Sequence, residues 1–292
     1  MCTALTYKTS DTYFGRNLDL EYTYNESVTI SPRNFEFNFR YKNNMIRHFS
    51  IIGMAYIVNN YPLYYDAINE KGLGIAGLNF PENAYYTENS NDLDNIAPFE
   101  FIPWILSQCE DVNEARKSIS KLTLINENFS EQLPLSPLHW MIADRESSIV
   151  VEQTKNGLNI YENPVDIMTN NPPFDYQLFS LNNYINISTG RPVNKFSENY
   201  KLDEYSRGMA GIGLPGDLSS NSRFIKATFT KLNSISNSNE EESVSQFFHI
   251  LSSVEQQRGC VQVDEGKYEI TAYSSCCNLN RGIYYYTTYE NR

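Results

Sequence analysis

Hydrophobic and polar positions along the chain fall into blocks of two periods. The opening predicts a hairpin: Cys2 to Lys8 is a strand, Thr9-Ser10-Asp11 a turn, and Thr12 to Leu18 a second strand. Extended runs follow at Ser27–Ile30 and Phe49–Val58, and again at Leu73–Phe80 after the turn residues Asn69-Glu70-Lys71-Gly72. The period then lengthens. Phe99–Cys109 is apolar and helix-like, with Pro103 in its first turn or at a kink. Asp111-Val112-Asn113-Glu114 is a capping box that opens a helix with Val112, Ala115, Ile119 and Leu122 on one side. Strands return at Leu138–Ala143, Ser148–Gln153 and near Ile167–Thr169, and Pro173–Tyr184 is a further helical candidate. After a Gly/Pro/Ser-rich loop over Arg207–Ser222, Ser222 caps a helix carrying Ile225, Phe229 and Leu232. Ser238 with Glu241 caps another, carrying Val244, Phe247, Phe248 and Leu251. Tyr268–Ser275 and Gly282–Tyr289 close the chain as strands.

This order of strands, helices, strands, helices, strands predicts an α+β layered domain, with two sheets face to face between helix layers. No segment reads as an interdomain linker and no internal repeat is present, so residues 1–292 are expected to form one domain. Asn233–Glu242 is a low-complexity stretch expected to be a surface loop. The 22 tyrosines and 16 phenylalanines favour sheet. A net charge of −12 argues against nucleic acid and anionic membrane surfaces as partners, and means that any anionic ligand must meet a local cation. The five cysteines are odd in number, and Cys276-Cys277 are adjacent. That pattern suits reduced thiols in a cytoplasmic protein better than a disulfide framework. The polar Lys8-Thr9-Ser10-Asp11 interrupts any leader-like apolar start, and no apolar run is long enough for a membrane span.

The candidate chemistry begins at residue 2. Cys2 follows Met1 directly, with small Thr3 and Ala4 behind it. Removal of Met1 would put a thiol and a free α-amine on one carbon, a nucleophile and its own base. The bland alternative is an inert second-position cysteine. Arg16 and Asp19 lie on the strand expected to pair with the Cys2 strand. Arg16 is placed to lower the thiol pKa and Asp19 to orient the amine; a solvated ion pair at a strand end is the other reading. Gly72-Leu73-Gly74-Ile75-Ala76-Gly77-Leu78-Asn79 and Met168-Thr169-Asn170-Asn171 each end a strand on asparagine. A carboxamide N–H beside a backbone N–H makes an oxyanion hole, although turn formation is the commoner use of asparagine.

The chain resembles the choloylglycine hydrolases, the bile salt hydrolase and penicillin V acylase group of N-terminal-nucleophile hydrolases. The matching words run from end to end: MCTALTY, YFGRNLD, SPRNFEF, NEKGLGIAGLNFP, PLHWMIAD, IVVEQT, MTNNPPFDYQL, GLPGDLSSNSRF, FFHIL and GIYYYTTYEN. The resemblance implies a four-layer αββα sandwich of two mainly antiparallel sheets between helix layers. It implies Cys2 as nucleophile, Arg16 and Asp19 as active-site residues, Asn79 and Asn170 at the oxyanion site, and Arg223 as a further site arginine. It also implies hydrolysis of the amide bond of glycine- or taurine-conjugated bile salts, with no cofactor and no metal. Asn79, in Leu-Asn-Phe-Pro, favours the bile salt branch over penicillin V acylases, which place Tyr there. Leu18, Val58, Phe129, Leu133 and Leu138 are implied as lining for an apolar acyl pocket, with the Tyr61–Tyr65 cluster at its rim; plain core packing is the other reading of each. A homotetramer is implied too, and the end at Arg292 falls short of the length expected for the family.

Other signals carry less. The glycines of 208–216 lack the Gly-Lys-Ser/Thr ending of a phosphate loop, and Asp217 opposes phosphate, so the segment is read as a mobile site-lining loop. His48, His139 and His249 have no metal spacing, and His139 is read as a satisfied core residue. Penicillin V or an N-acyl homoserine lactone is the alternative substrate, and a non-catalytic bile-acid-binding protein the alternative class.

Overall fold

The computed structural model describes residues 1–88 and 94–292. In chain order the first half holds β1 (Cys2–Lys8), β2 (Thr12–Leu20), β3 (Ser27–Ser31), β4 (Ile51–Val58), β5 (Tyr61–Asn69), β6 (Gly74–Asn79) and β7 (Asp94–Ile96). Then come α1 (Phe101–Gln108), α2 (Val112–Ile119), β8 (Leu122–Leu124), β9 (Leu138–Ala143) and β10 (Ser148–Thr154). The second half holds β11 (Gly157–Glu162), β12 (Ile167–Met168), α3 (Phe174–Ser180), α4 (Ser220–Asn233) and α5 (Glu240–Ser252). It closes with β13 (Gln262–Asp264), β14 (Lys267–Tyr268), β15 (Ile270–Asn278) and β16 (Ile283–Thr288).

Two antiparallel sheets dominate. One runs β12-β1-β2-β15-β16 and the other β11-β10-β9-β6-β5-β4-β3. In the first, Cys2 pairs with Leu18, Ala4 with Arg16 and Thr6 with Phe14, so Cys2, Phe14, Arg16 and Leu18 share one face. That face meets the second sheet: a Cβ added at Gly74 of β6 would come within 2.6 Å of the Phe14 ring. The inter-sheet core continues into Phe174, Phe224 and Phe247 of α3, α4 and α5. A second core lies on the far face of the larger sheet, where Ile75, Trp140, Ile142 and Val151 pack against Phe101, Ile105, Ala115 and Ile119 of α1 and α2. The layer order is therefore helix, sheet, sheet, helix, as the block pattern and the resemblance predict.

Several boundaries differ from expectation for identifiable reasons. β5 had no counterpart in the pattern, because Pro62 near its start argues against a strand. Pro62 sits at the open end, opposite Ile57, where the loss of one N–H is tolerated. The cluster read as a pocket rim is thus strand, although Leu63, Tyr64 and Tyr65 do reach a cavity. β11 is an outermost strand, half-buried along its middle, with no alternating signal to read. The α4 cap is Ser219 rather than Ser222, whose hydroxyl instead donates to Asp217 Oδ2 at 2.6 Å. The α5 cap is Asn239, its side chain accepting from Glu242 N–H, one residue beyond the predicted pair Ser238 and Glu241. Residues 233 and 240–242 of the expected surface loop belong to those helices. Leu122 leaves the α2 face and starts β8.

Candidate active site

Cys2 is buried at the open end of β1, 3% exposed. Met1 extends the strand by one register step: its amine donates to Asp19 O at 2.8 Å and Asp19 N–H donates to Met1 O at 2.9 Å. The same amine is paired with Glu269. Cys2 N–H donates to Asn170 Oδ1 at 2.7 Å. The other end of that carboxamide, Nδ2, donates to Asn79 O at 2.7 Å. Arg223 Nη2 also donates to Asn170 Oδ1, at 2.8 Å. Two donors on one end and an acceptor on the other fix the orientation of the amide unambiguously. Asn170 therefore meets the Cys2 nitrogen through its oxygen, and one of its two Nδ2 hydrogens is committed to Asn79 O. The backbone around it is pinned as well. Asn170 N–H donates to Ser220 Oγ at 2.8 Å, and Gln177 Nε2 donates to Asn170 O.

Arg223 is completely buried in the first turns of α4. Its Nη1 donates to Cys2 O at 2.6 Å and to Thr3 Oγ1 at 2.7 Å, and its Nε donates to Leu218 O at 3.0 Å. It is a clamp on the N-terminal strand. Burial pulls its pKa down, and Asp19, Cys2 and Glu269 oppose the shift. Asp19 Oδ1 accepts from Thr271 Oγ1 at 2.6 Å, while Oδ2 lies 3.8 Å from Arg223 Nη1 and has no hydrogen bond of its own. Burial raises the Asp19 pKa against the pull of Arg223 and the terminal amine.

Arg16, also fully buried, points between the sheets. Nη1 donates to Tyr65 O at 3.2 Å and to Gly77 O, Nε donates to Asn17 O at 3.3 Å, and Nη2 has no protein partner. Burial pulls its pKa down, and Cys2, Tyr273, Asp66 and Asp19 more than reverse the shift, so the guanidinium stays charged. Asp66, which sequence reasoning missed, is the buried counter-charge. Its Oδ1 accepts from Tyr273 OH, and its Oδ2 accepts from Tyr284 OH at 2.8 Å and Ser275 Oγ at 3.0 Å. Burial raises the Asp66 pKa, and Arg16 and the three hydroxyls offset part of that rise. The available signal was an aspartate inside the run Tyr64-Tyr65-Asp66-Ala67-Ile68, costly to bury unless partnered.

A cavity of about 490 Å³ lies behind the carbonyls that hold Arg16, and none of Cys2, Arg16, Asp19, Asn79, Asn170 and Arg223 is in its wall. Tyr65 and Gly77, whose carbonyls hold Arg16, are part of its wall. Phe99, Ile102, Phe129, Leu133 and Leu138 supply apolar surface, and Tyr22, Tyr24 and Tyr56 bring aromatic hydroxyls. Of the five lining residues expected, Phe129, Leu133 and Leu138 are in the wall. Leu18 is outside it, packed in the inter-sheet core opposite Cys2, and Val58 ends β4 at the turn into β5. The 208–216 segment, expected to line the site, contributes no residue to this wall. Asn79 stands at the end of β6 with its side chain exposed.

The remaining candidates fall outside the chemistry. Cys276 and Cys277 are both buried, the first within the influence of Glu240 on α5 and the second of Asp66 between the sheets, hence on opposite faces. His139 is buried, but only half satisfied: Nδ1 meets Glu152 Oε1 at 3.0 Å, whereas Nε2 has no partner. Among the described residues no group of three or more His, Cys, Asp and Glu is placed to hold a metal ion. No helix among them is long and apolar enough to cross a membrane.

Comparison with known proteins places this geometry in context. A "Bile salt hydrolase/transferase" of Lactiplantibacillus plantarum is 60% identical over 291 residues, covering 100% of this chain and 90% of the relative. The crystal structure of a C2A mutant of conjugated bile acid hydrolase from Clostridium perfringens superposes with a TM-score of 0.92 at 38% identity, covering 100% of this chain and 90% of that one. A penicillin V acylase from Agrobacterium tumefaciens has the same fold, with a TM-score of 0.76 at 18% identity over 99% of this chain and 83% of the other. The model for linear amide C–N hydrolases, choloylglycine hydrolase family, matches residues 2–292. From Cys2 to its closing strands, the chain belongs to the choloylglycine hydrolase family of linear amide C–N hydrolases.

Proposed function

We propose that the protein hydrolyses the amide bond of glycine- and taurine-conjugated bile salts, with Cys2 as nucleophile once Met1 is removed. The observation that carries this reading is the position of Cys2. It sits between Arg16, Asn170 and Arg223, and Arg16 in turn donates to the carbonyls of Tyr65 and Gly77, two residues in the wall of an apolar cavity of about 490 Å³, of the scale of small-molecule sites.

The steps follow from the residues. Loss of Met1 frees the Asp19 backbone pair and turns Cys2 N into an α-amine, still aligned by Asn170 Oδ1. That amine takes the Cys2 thiol proton, and Arg16 stabilises the thiolate. The thiolate attacks the amide carbonyl carbon. The resulting oxyanion accepts from the second Nδ2 hydrogen of Asn170 and from the Asn79 carboxamide. The C–N bond breaks as the terminal ammonium protonates the departing amine, and glycine or taurine leaves. Water, deprotonated by the same amine, then cleaves the thioester and releases the bile acid. Asp19 and Arg223 hold the amine and the strand that bears it rather than touching substrate.

The protein is further proposed to be cytoplasmic and homotetrameric. All five cysteines are free thiols, in keeping with a reducing compartment. The segment between α3 and α4 exposes Ile185, Val193, Phe196, Tyr205 and Ile212, with Phe196 at 81%, and apolar surface of this kind favours burial against further copies. Intact-mass measurement should find the protein one Met lighter. Purified protein should release glycine from glycocholate and taurine from taurocholate faster than it opens penicillin V, and Cys2→Ala should fold without turnover. Turnover by Cys2→Ala would refute the nucleophile, and a higher kcat/KM for penicillin V would refute the substrate class.

A further inference from the structure

We propose that the buried pair His139–Glu152 is a positioning device that sets the spacing between Asn79 and Asn170. The proposal rests on the reading above, in which those two asparagines serve the oxyanion. Both members of the pair are completely buried, and neither touches the cavity or Cys2.

The pair is connected to each asparagine by a separate path. On one side, His139 of β9 pairs in register with Leu78, and the neighbouring Leu138 pairs with Asn79. The imidazole lies flat on Phe80, the residue after Asn79, with ring centroids 4.2 Å apart and planes at 4°. Asn79 is thus held by its strand ladder, and the residue that follows it by a stacked ring. On the opposite side, both oxygens of Glu152 accept from the backbone N–H of Phe174, at 3.2 and 3.3 Å. Phe174 opens α3, and from that helix Gln177 donates to Asn170 O and to Pro172 O while accepting from Thr169 Oγ1. The peptide that carries Asn170 is therefore fixed through α3, and α3 is anchored on Glu152.

The bond between His139 Nδ1 and Glu152 Oε1, 3.0 Å long, joins the two paths. The carboxylate only accepts, so Nδ1 carries the hydrogen. A buried carboxylate is costly unless its lone pairs are filled, and a charge in this core needs a reason beyond packing. Here it links β6 to the β12–α3 connection, the two segments whose separation sets where an oxyanion can sit. Small errors in such a separation are expensive in rate: misplacement by about 1 Å costs on the order of 100-fold.

The test is a set of Glu152 variants, each assayed for steady-state glycocholate hydrolysis with a thermal melt as control. Glu152→Ala should lower kcat by roughly 10- to 100-fold while KM moves less than about threefold, because the cavity is untouched. Glu152→Gln should recover most of that loss. Its amide oxygen still accepts from Phe174, and its Nε2 can donate to His139 after the imidazole changes tautomer. If Glu152→Ala does not fold, Glu152→Asp, which withdraws the carboxylate by about one methylene, should show the same selective loss of kcat. An unchanged kcat in the folded Ala or Asp variant overturns the proposal. So does a loss confined to KM, or a Gln variant no better than Ala. Failure of the functional reading looks different, since the parent protein itself would then release no amino acid from glycocholate.

Discussion

Asn170 offers the sharpest test of the site, because its two ends do different work. Replacement by Ala removes the acceptor shared by Cys2 N and Arg223 Nη2, and the donor that holds Asn79 O. Arg223 is fully buried and charged, so losing a hydrogen bond there costs about 1.5–3 kcal/mol, and the two neutral bonds about 1 kcal/mol each. Water entering the vacated space offsets part of this, leaving roughly 2–4 kcal/mol of stability lost. Catalysis should suffer more. An amine without its guide and an oxyanion without one donor should reduce kcat by about 100- to 1,000-fold, or ~3–4 kcal/mol. Asn170→Asp separates the two roles. It keeps an oxygen facing Cys2 N and Arg223, but sets a second oxygen 2.7 Å from Asn79 O in place of the donor. If Asn170 acts only by guiding the amine, Asp should retain most activity. If its nitrogen also donates to the oxyanion, Asp should be nearly as impaired as Ala. The assay is glycine release from glycocholate, with melting temperatures to normalise for folding. An Ala variant within threefold of the parent kcat would sink the reasoning.

Three further outcomes follow from the same structure. Burial raises the pKa of Asp66, so the stability that its protonated form confers is fully present below the unfolded value of about 3.9 and is lost as pH rises through the folded value. Relative to the parent, Asp66→Asn should therefore gain Tm as pH rises from 4 to 7; a difference that is flat across that window counts against a perturbed Asp66. Glu70 moves the other way, pulled down to about 2 by its bonds with Arg33, so its contribution is present above about 4.3 and disappears as pH falls through 2. The Tm deficit of Glu70→Gln at pH 7 should shrink accordingly in acid. Finally, a Cβ at Gly15 would lie 2.0 Å from Ser275 O, against backbone that cannot yield, whereas one at Gly77 would lie 3.3 Å from Trp140 Nε1. Gly15→Ala should cost more than ~3 kcal/mol and Gly77→Ala about 1 kcal/mol, read by urea denaturation.

What the sequence disclosed about the site depended on how far apart the partners are along the chain. Cys2, Arg16 and Asp19 were readable together because one hairpin carries them and the register of a hairpin follows from its turn. Asn79 and Asn170 could be marked only as asparagines at strand ends, and Arg223 only by resemblance, since nothing local says that α4 delivers its guanidinium to Cys2 O. Asp66 and Glu152 were not marked at all. Asp66 looks like a lone acid in a Tyr-rich strand and Glu152 like the start of a polar strand end, and their partners lie on other strands or on a helix: Tyr273, Ser275 and Tyr284 for the first, His139 and Phe174 for the second. The layers were legible from periodicity, because each strand or helix buries a face regardless of which element covers it. Pairing specificity was not, because it resides in contacts that no window spans.

That separation bears on how the site comes into being. The bonds around Cys2 bridge 168 residues to Asn170 and 221 to Arg223, and Asp19 is reached by Thr271 from 252 residues away. None of these can form in a partly folded chain without closing a loop of more than half the protein, and such closures come late and cooperatively. The buried charges then work against any intermediate. Arg16, Asp19, Asp66 and Arg223 are each fully buried, and stripping one partner from a buried charge costs about 3–5 kcal/mol. A molecule with β15 undocked would lose Thr271 from Asp19 and both Tyr273 and Ser275 from Asp66 at once, stripping hydrogen bonds from two buried carboxylates. The site is thus expected to be either complete or absent. Under the proposed function, Cys2 would then be competent to react only in the state that also brings Asn79 and Asn170 together.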